Sequence, residues 1–440
     1  MKKFIALALA ATVLGGCGVF GGGKTKPATP TVGQRVPVLA AESEIAVDPE
    51  TQGVAVQVPA PVANTEWSQP GGNASHAPGH VALGGALAVA WTADIGAGSV
   101  ARARLGSGPV VGGGRLYTID TTATIRAFDA ASGAAAWSAR LANAATDVNA
   151  LFGGGVSFEN GTLYATNGIG QVAALDAATG RARWTQRPGG PLRGAPTVSD
   201  GNLYVVSQDN QLFALDPATG ETRWSQPATL EVAGVFGAAA PAAAQGTVVA
   251  GFSSGELNAY RYENGRPLWQ DVLSRTNVST AVAALSDIDA EPVIENGRVY
   301  AVGQGGRMVA LELVTGQRLW EQNIAGISTP WVAGDWLFVV TADARLVAMA
   351  KNTGRIRWIT QLRGFRDQKD RKGPVQWVGP VLAGGRLILA SSLGDLVAAS
   401  PSTGAVQTIT NLRAPVEFAP VVANNTMYVL DSRGRLTAFR

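Results

Sequence analysis

The sequence predicts an all-β fold: an eight-bladed β-propeller of four-stranded antiparallel blades, its ring closed by an N-terminal strand around Trp91. Three observations carry that expectation. One unit recurs at intervals of 38 to 51 residues, the range of propellers and solenoids. Within each interval apolar residues alternate between turn signals, which is the period of a strand. And the innermost and outermost strands can each be counted eight times only if a strand near the N-terminus completes the last blade.

The composition allows such a body. Of 440 residues, 46% are apolar and 15% charged, enough to bury a sizeable core. A single cysteine, Cys17, excludes an intrachain disulfide and every cysteine-based zinc site. The formal charge of +3 includes Lys2 and Lys3, and without them 33 basic face 32 acidic side chains with no basic run. Phosphate tracking needs a clustered excess of Lys and Arg, so a nucleic-acid partner is excluded.

In chain order, Met1-Lys2-Lys3 and the apolar run from Phe4 to Leu14 read as a secretory signal. The stretch from Phe4 to Gly16 is 13 residues, too short for a bilayer that needs roughly 20. Leu14-Gly15-Gly16-Cys17 resembles the bacterial lipobox. That resemblance implies a signal peptide over residues 1–16, lipidation of Cys17 and, with Gly18 rather than Asp next, sorting to the outer membrane. Residues 17–66 carry a glycine triplet and scattered prolines without a lasting period, and are expected to be the lipidated cysteine and a flexible tether. Residues 67–440 are expected to be the propeller.

The repeats are explicit. Ala127-Phe-Asp129-Ala-Ala-Ser-Gly133-Ala-Ala-Ala-Trp137 is followed by Ala174-Leu-Asp176-Ala-Ala-Thr-Gly180-Arg-Ala-Arg-Trp184 and by Ala214-Leu-Asp216-Pro-Ala-Thr-Gly220-Glu-Thr-Arg-Trp224. Weaker copies set Gly265 before Trp269, Gly316 before Trp320 and Gly354 before Trp358, and a last one has Thr408 in the tryptophan slot after Gly404. The Asp side chain can hold the backbone of its own turn while Gly supplies positive φ, and the Trp is large enough to fill the wedge between blades. Innermost strands (A) begin near Pro109, Val156, Pro196, Pro241, Pro292, Pro330, Pro380 and Pro420. Outermost strands (D) centre on Trp91, Trp137, Trp184, Trp224, Trp269, Trp320, Trp358 and Thr408. The Trp91 strand has no A to C strands before it, and the final repeat ends at its strand C, so the two complete one blade.

Ala-x-Asp-x-x-[Ser/Thr]-Gly-x-x-x-Trp resembles the tryptophan-docking repeat of the pyrroloquinoline-quinone (PQQ) dehydrogenases. Together with Trp67-Ser-Gln-Pro-Gly-Gly-Asn73, the lipobox, the eight blades and Leu285-Ser-Asp287-Ile-Asp289-Ala-Glu-Pro292, the chain resembles the BamB family over residues 67 to 440. These are lipoprotein subunits of the outer-membrane β-barrel assembly (BAM) machinery. The resemblance implies a non-catalytic scaffold without cofactors. It would be lipid-anchored at the outer membrane with the propeller in the periplasm, assist insertion of β-barrel proteins, bind the POTRA domains of BamA and contact unfolded outer-membrane protein substrates.

The residues of a quinone enzyme are missing. Its paired cysteines are absent, and no dense Asp, Glu and Asn constellation replaces them. Gly251-Phe-Ser253-Ser-Gly255 matches a nucleophile elbow but falls in a repeat turn, with no His beyond residue 80. Asp287-Ile-Asp289-Ala-Glu291 mimics a calcium loop but has Pro292 where an EF-hand needs Gly. His76 and His80 are expected to serve as structural hydrogen bonders. Two alternatives stay open: a quinone-dependent or other propeller dehydrogenase, and an envelope glycan-binding module.

A propeller gathers its B–C and D–A connections on one face. Two consecutive D–A connections are long, with 16 residues between Trp224 and Pro241 and 22 between Trp269 and Pro292. Long, uneven loops on one face form the default binding surface. The resemblance places BamA contacts on the same two loops: apolar at Leu230 and Val232, acidic at Asp287 and Asp289, where carboxylates would meet a partner's Arg or Lys. The basic residue expected in the first motif is Ala233 here, and a neighbouring loop is the place to look for compensation. A third long connection, residues 359–379, carries five basic and two acidic side chains between Arg363 and Lys372 and is expected to be solvated.

Overall fold

The computed structural model describes residues 45–141, 153–230, 239–273 and 286–440. Cys17 and the signal, Val232, Ala233 and Leu285 lie outside the described residues. All regular elements described are strands. Eight four-stranded antiparallel sheets follow one another in the chain, from Val110–Gly112, Arg115–Ile119, Thr124–Asp129 and Ala135–Arg140 in blade 1 to the last sheet in blade 8.

Blade 8 is completed as the sequence predicts. Val89–Asp94 pairs with Arg435–Phe439, with Trp91 opposite Ala438 and Asp94 opposite Arg435. Ala88 and Arg440 exchange both backbone hydrogen bonds at 2.7 and 3.0 Å. The ring thus has no free edge at its seam.

The tryptophan slot joins neighbouring blades. Each D-strand indole lies on the glycine of the next blade's C–D turn. Except at Trp91, its Nε1 donates to a carbonyl of that turn, as in Trp137 to Ala177 (3.0 Å), Trp184 to Pro217 (3.0 Å), Trp269 to Leu313 (2.7 Å) and Trp358 to Pro401 (3.0 Å). Behind it, except at Trp269, stands a buried ring from strand B of the same blade, Tyr204 against Trp224 or Phe338 against Trp358. At Gly265 the requirement for glycine is plain: φ is +71°, and an added Cβ would lie 2.5 Å from the Trp224 ring. Gly265→Ala should therefore cost about 2–4 kcal/mol, joining left-handed strain to a steric clash; a urea melt within 0.5 kcal/mol of wild type would show that the indole has room to retreat.

The exception at Thr408 has the same cause. Blade 8 has no C–D turn, because its strand D comes from the other end of the ring. Blade 7 therefore has no glycine to dock on, and an exposed Thr occupies the slot.

The leading segment differs from expectation. Residues 45–66, expected to belong to the tether, are docked on the folded body, the first of them on blade 6. Asp48 N donates to Ile356 O (2.8 Å), Thr51 Oγ1 donates to the same carbonyl (2.8 Å) and Arg357 Nε donates to Val54 O (2.6 Å). Ile45 is 7% exposed and packs in the cluster around Val293 and Ile356. The folded body thus begins before residue 67, because a strand about 300 residues away supplies partners that local composition cannot reveal.

From Asn64 the chain then follows the inner edges of all eight A strands. Asn424 N donates to Asn64 O (2.8 Å) in blade 8, and Trp67 and Val111 exchange backbone bonds (2.8 Å each) in blade 1. Phe158 N donates to Ser68 O (2.7 Å) in blade 2, and the Gln69 side chain bonds both backbone groups of Val198 (2.9 Å each) in blade 3. Ala243 N to Ala74 O (2.7 Å) and Ile294 N to Ser75 O (2.9 Å) serve blades 4 and 5. Trp331 Nε1 to Gly79 O (2.9 Å) and Val81 N to Leu382 O (3.1 Å) complete the circuit on blades 6 and 7. Inner strand edges carry backbone groups that need partners, and this segment satisfies some on every blade while flooring the channel near the A–B turns.

Candidate functional site

The opposite face carries the B–C turns and D–A connections, where the sequence places a partner. Leu230 follows strand D of blade 3 and is 71% exposed, as expected. The backbone beside it is fixed: Thr229 N and Oγ1 donate to the Glu256 carboxylate (2.8 and 2.6 Å), and Asn210 Nδ2 donates to Thr229 O (2.7 Å). Burial alone would raise the Glu256 carboxyl, but hydrogen bonds from Thr229, Ser254 and Gln270 hold it below its ordinary range. A rigid post thus presents an apolar side chain to solvent.

The two acidic positions are placed otherwise than expected. Asp287 is 1% exposed and accepts a hydrogen bond from Arg193 at 2.9 Å; an oxygen of Asp289 lies 3.4 Å from the same guanidinium nitrogen. The second Asp289 oxygen accepts from Gln304. The carboxylates expected to await a partner's base are therefore engaged within the chain. The reason is geometric. Ile288, fully buried, packs where a Cβ on Gly251 would stand 2.5 Å away, and its N–H donates to Phe252 O (3.2 Å). That anchor turns the residues on either side inward, towards Arg193 on the connection between blades 2 and 3.

Two aspartates share one arginine in this cluster. Burial and the neighbouring Asp287 carboxylate push the Asp289 carboxyl up to about 6, against the pull of Arg193 and Gln304. Asp289 thus titrates far closer to neutrality than an exposed aspartate does. Arg193 and Gln304 are the residues that sequence reasoning missed. Arg193 lies on a neighbouring loop, and no local signal in Pro191-Leu192-Arg193-Gly194 marks it.

Other candidates fall where expected. Gly251 to Gly255 forms the B–C turn of blade 4, and Ser253 Oγ donates to Asn210 Oδ1 (2.9 Å). His76 Nδ1 lies 2.7 Å from Pro292 O; His80 bonds Pro59 O through Nδ1 (2.6 Å) and accepts from Gly385 N through Nε2 (2.8 Å). Glu291, the third acid of the calcium-like run, is bonded to Thr329 at 3.1 Å. Among the described residues no group of three His, Cys, Asp or Glu side chains is placed to hold a metal ion. The basic connection after blade 6 rises as a small hairpin, Phe365–Asp367 paired with Lys372–Pro374, with residues 366–374 all exposed.

Comparison with known proteins agrees with the propeller fold. A family model described as outer membrane protein assembly factor BamB matches residues 79–149, 121–360 and 367–440. The BamB of Salmonella typhimurium is 31% identical over 160 residues, 36% of this chain and 38% of that protein. The chain thus spans well under half the length of that curated relative. Among solved structures, BamB from Moraxella catarrhalis superposes with a TM-score of 0.66 at 19% identity, covering 80% of this chain and 99% of that one. Quinohemoprotein alcohol dehydrogenase from Comamonas testosteroni superposes at 0.63 with 14% identity, covering 91% and 83%. At these identities the two structures establish the shared propeller and nothing of its chemistry.

Proposed function

The chain belongs to the outer membrane protein assembly factor BamB family, and from that premise we propose that it is a non-catalytic scaffold of the BAM complex. In this reading it is anchored in the outer membrane through lipid on Cys17. It holds the periplasmic POTRA domains of BamA and assists insertion of β-barrel proteins. The observation that carries the reading is the rigidly held, exposed Leu230 on the same face as the Arg193–Asp287–Asp289 cluster. An apolar anchor beside a preorganised charged group is the make-up of an interface centre. Asp287, being buried, would act by positioning its loop. Asp289, with Val232 beside Leu230, would meet the partner.

The test is capture of BamA from detergent-solubilised membranes by the tagged full-length chain. Leu230→Asp should weaken capture at least about tenfold, the scale of one well-packed anchor, with an unchanged melting temperature. Cys17→Ala should move the protein from the membrane to the soluble fraction. Full capture by Leu230→Asp would remove this loop from the interface, and failure of the wild type to recover BamA would remove the reading itself.

A further inference from the structure

We propose that the funnel on the loop face of the ring is a binding site for an organic cation, a guanidinium or primary ammonium group. The inference stands on the cavity and is independent of the partner reading. A cavity of about 1160 Å³ opens among the D–A connections and B–C turns of blades 5 to 8 and the approach to blade 1. Its floor is made by the leading segment, which brings Trp67 against Trp331 with ring centroids 6.0 Å apart and planes 20° from parallel. Aromatic faces at the bottom of a cleft attract a cation that has shed its water.

The charge of the lining has the matching sign. Arg104 is paired with Glu417 (3.0 Å) and Arg345 with Asp343 (2.7 Å), while Asp289 shares Arg193 with Asp287. Glu291 also lines the cavity and has no basic partner among the described residues; the Thr329 hydroxyl alone bonds its carboxylate, at 3.1 Å. An excess carboxylate in a low-dielectric funnel focuses a negative potential inward.

His76 supplies the second, independent sign of a ligand. It is 2% exposed and lines the same cavity. A carbonyl can only accept, so Nδ1, 2.7 Å from Pro292 O, carries the hydrogen, and in the neutral ring Nε2 is left as an acceptor. That nitrogen is buried and has no hydrogen-bond partner among the described residues. A buried acceptor left unmade is costly, and together with the Glu291 carboxylate it asks for a ligand rich in N–H donors. Guanidinium and ammonium groups meet all three conditions: positive charge, several donors, and a face or head that rests on indole.

The shared chemistry could arrive as a free small cation or as a Lys or Arg side chain on an extended peptide. The intact folded protein would be titrated with Nα-acetyl-L-arginine amide, putrescine and the capped tripeptide acetyl-Ala-Arg-Ala amide, with Nα-acetyl-L-citrulline amide as the uncharged isostere, following tryptophan fluorescence and heat. Saturable binding of a cation, absent for Nα-acetyl-L-citrulline amide, is expected. Glu291→Gln should weaken it by about tenfold or more, the loss of one charge-assisted hydrogen bond. Ala342→Arg, at an exposed position on the rim, should abolish it by supplying an internal guanidinium. Equal binding of free amines and tripeptide would identify a small-molecule site, and binding of the tripeptide alone a side-chain socket. Nα-acetyl-L-citrulline amide binding as well as Nα-acetyl-L-arginine amide, an unchanged affinity in a natively melting Glu291→Gln, or no saturable response to any cation would each overturn the proposal.

Discussion

A chain lacking residues 67–95 is expected to melt at least about 10 °C below the intact protein, or to lose its cooperative transition. Two separate structures go with that segment. The first is the circuit over the inner strand edges, whose removal leaves backbone groups of Val111, Val198 and Ile294 without their present partners. The second is strand D of blade 8. Without it Arg435–Phe439 becomes a free edge, and the seam opens between the first and last blades. Trp91→Ala separates the two contributions, since it leaves both segments in place and removes only the indole lying against Gly133 and Tyr428. Because Trp91 is half-buried and its Nε1 has no hydrogen-bond partner among the described residues, about 2–3 kcal/mol is expected, below the usual cost for a core tryptophan. The carbonyl that Nε1 would use by analogy, Ala130 O, accepts from Tyr428 Oη at 2.9 Å. Scanning calorimetry on both variants decides the matter. A deletion that melts with the wild type would mean that neither floor nor seam holds the ring.

The fold was legible because its determinants are local and repeated. Asp129, Asp176 and Asp216 each accept hydrogen bonds from their own turns, Gly133, Gly180 and Gly220 hold φ near +75°, and each tryptophan follows four residues later. One turn of the pattern therefore states a whole joint between blades. The odd position at Thr408 was visible too. Its meaning, a blade joint without a turn, needed the closed ring. The docking of residues 45–66 was invisible because glycine, proline and scattered valines read alike whether solvated or laid against a distant strand edge.

The candidate site was legible by half. Loop lengths marked the face, and Leu230 stands exposed on it. What could not be read was that the carboxylates already have a partner. Arg193 and Asp287 are 94 residues apart, and neither sits in a pattern that singles it out. Ion pairs between loops depend on the ring bringing successive connections to one rim, a long-range geometry that no window of sequence contains.

That pairing gives its two acids opposite roles, and the sign of each can be measured. Asp287→Ala should destabilise the protein by about 2–3 kcal/mol. Its removal takes from the buried Arg193 guanidinium the nearer of its two carboxylates, and breaking a buried ion pair costs more than the pair contributed. Asp289→Asn should do the reverse at pH 8. Its carboxyl sits at about 6 in the folded protein against an ordinary 3.8, so between those values the folded chain holds a proton that the unfolded chain has released. Stability from this group is therefore greatest below 3.8, falls as pH rises through the window, and carries its full cost above 6. The cost is about 1–3 kcal/mol, and the asparagine variant escapes it while keeping an acceptor for Gln304. Urea unfolding at pH 4, 6 and 8 should show the variant more stable than wild type at pH 8 and the gap closing towards pH 4. Asp287→Ala should flatten the same dependence, because it removes the neighbouring charge that raises Asp289. A less stable Asp289→Asn at pH 8, or a gap that ignores pH, would mean that Arg193 holds both carboxylates ionised and that the loop is clamped by two ion pairs instead of one.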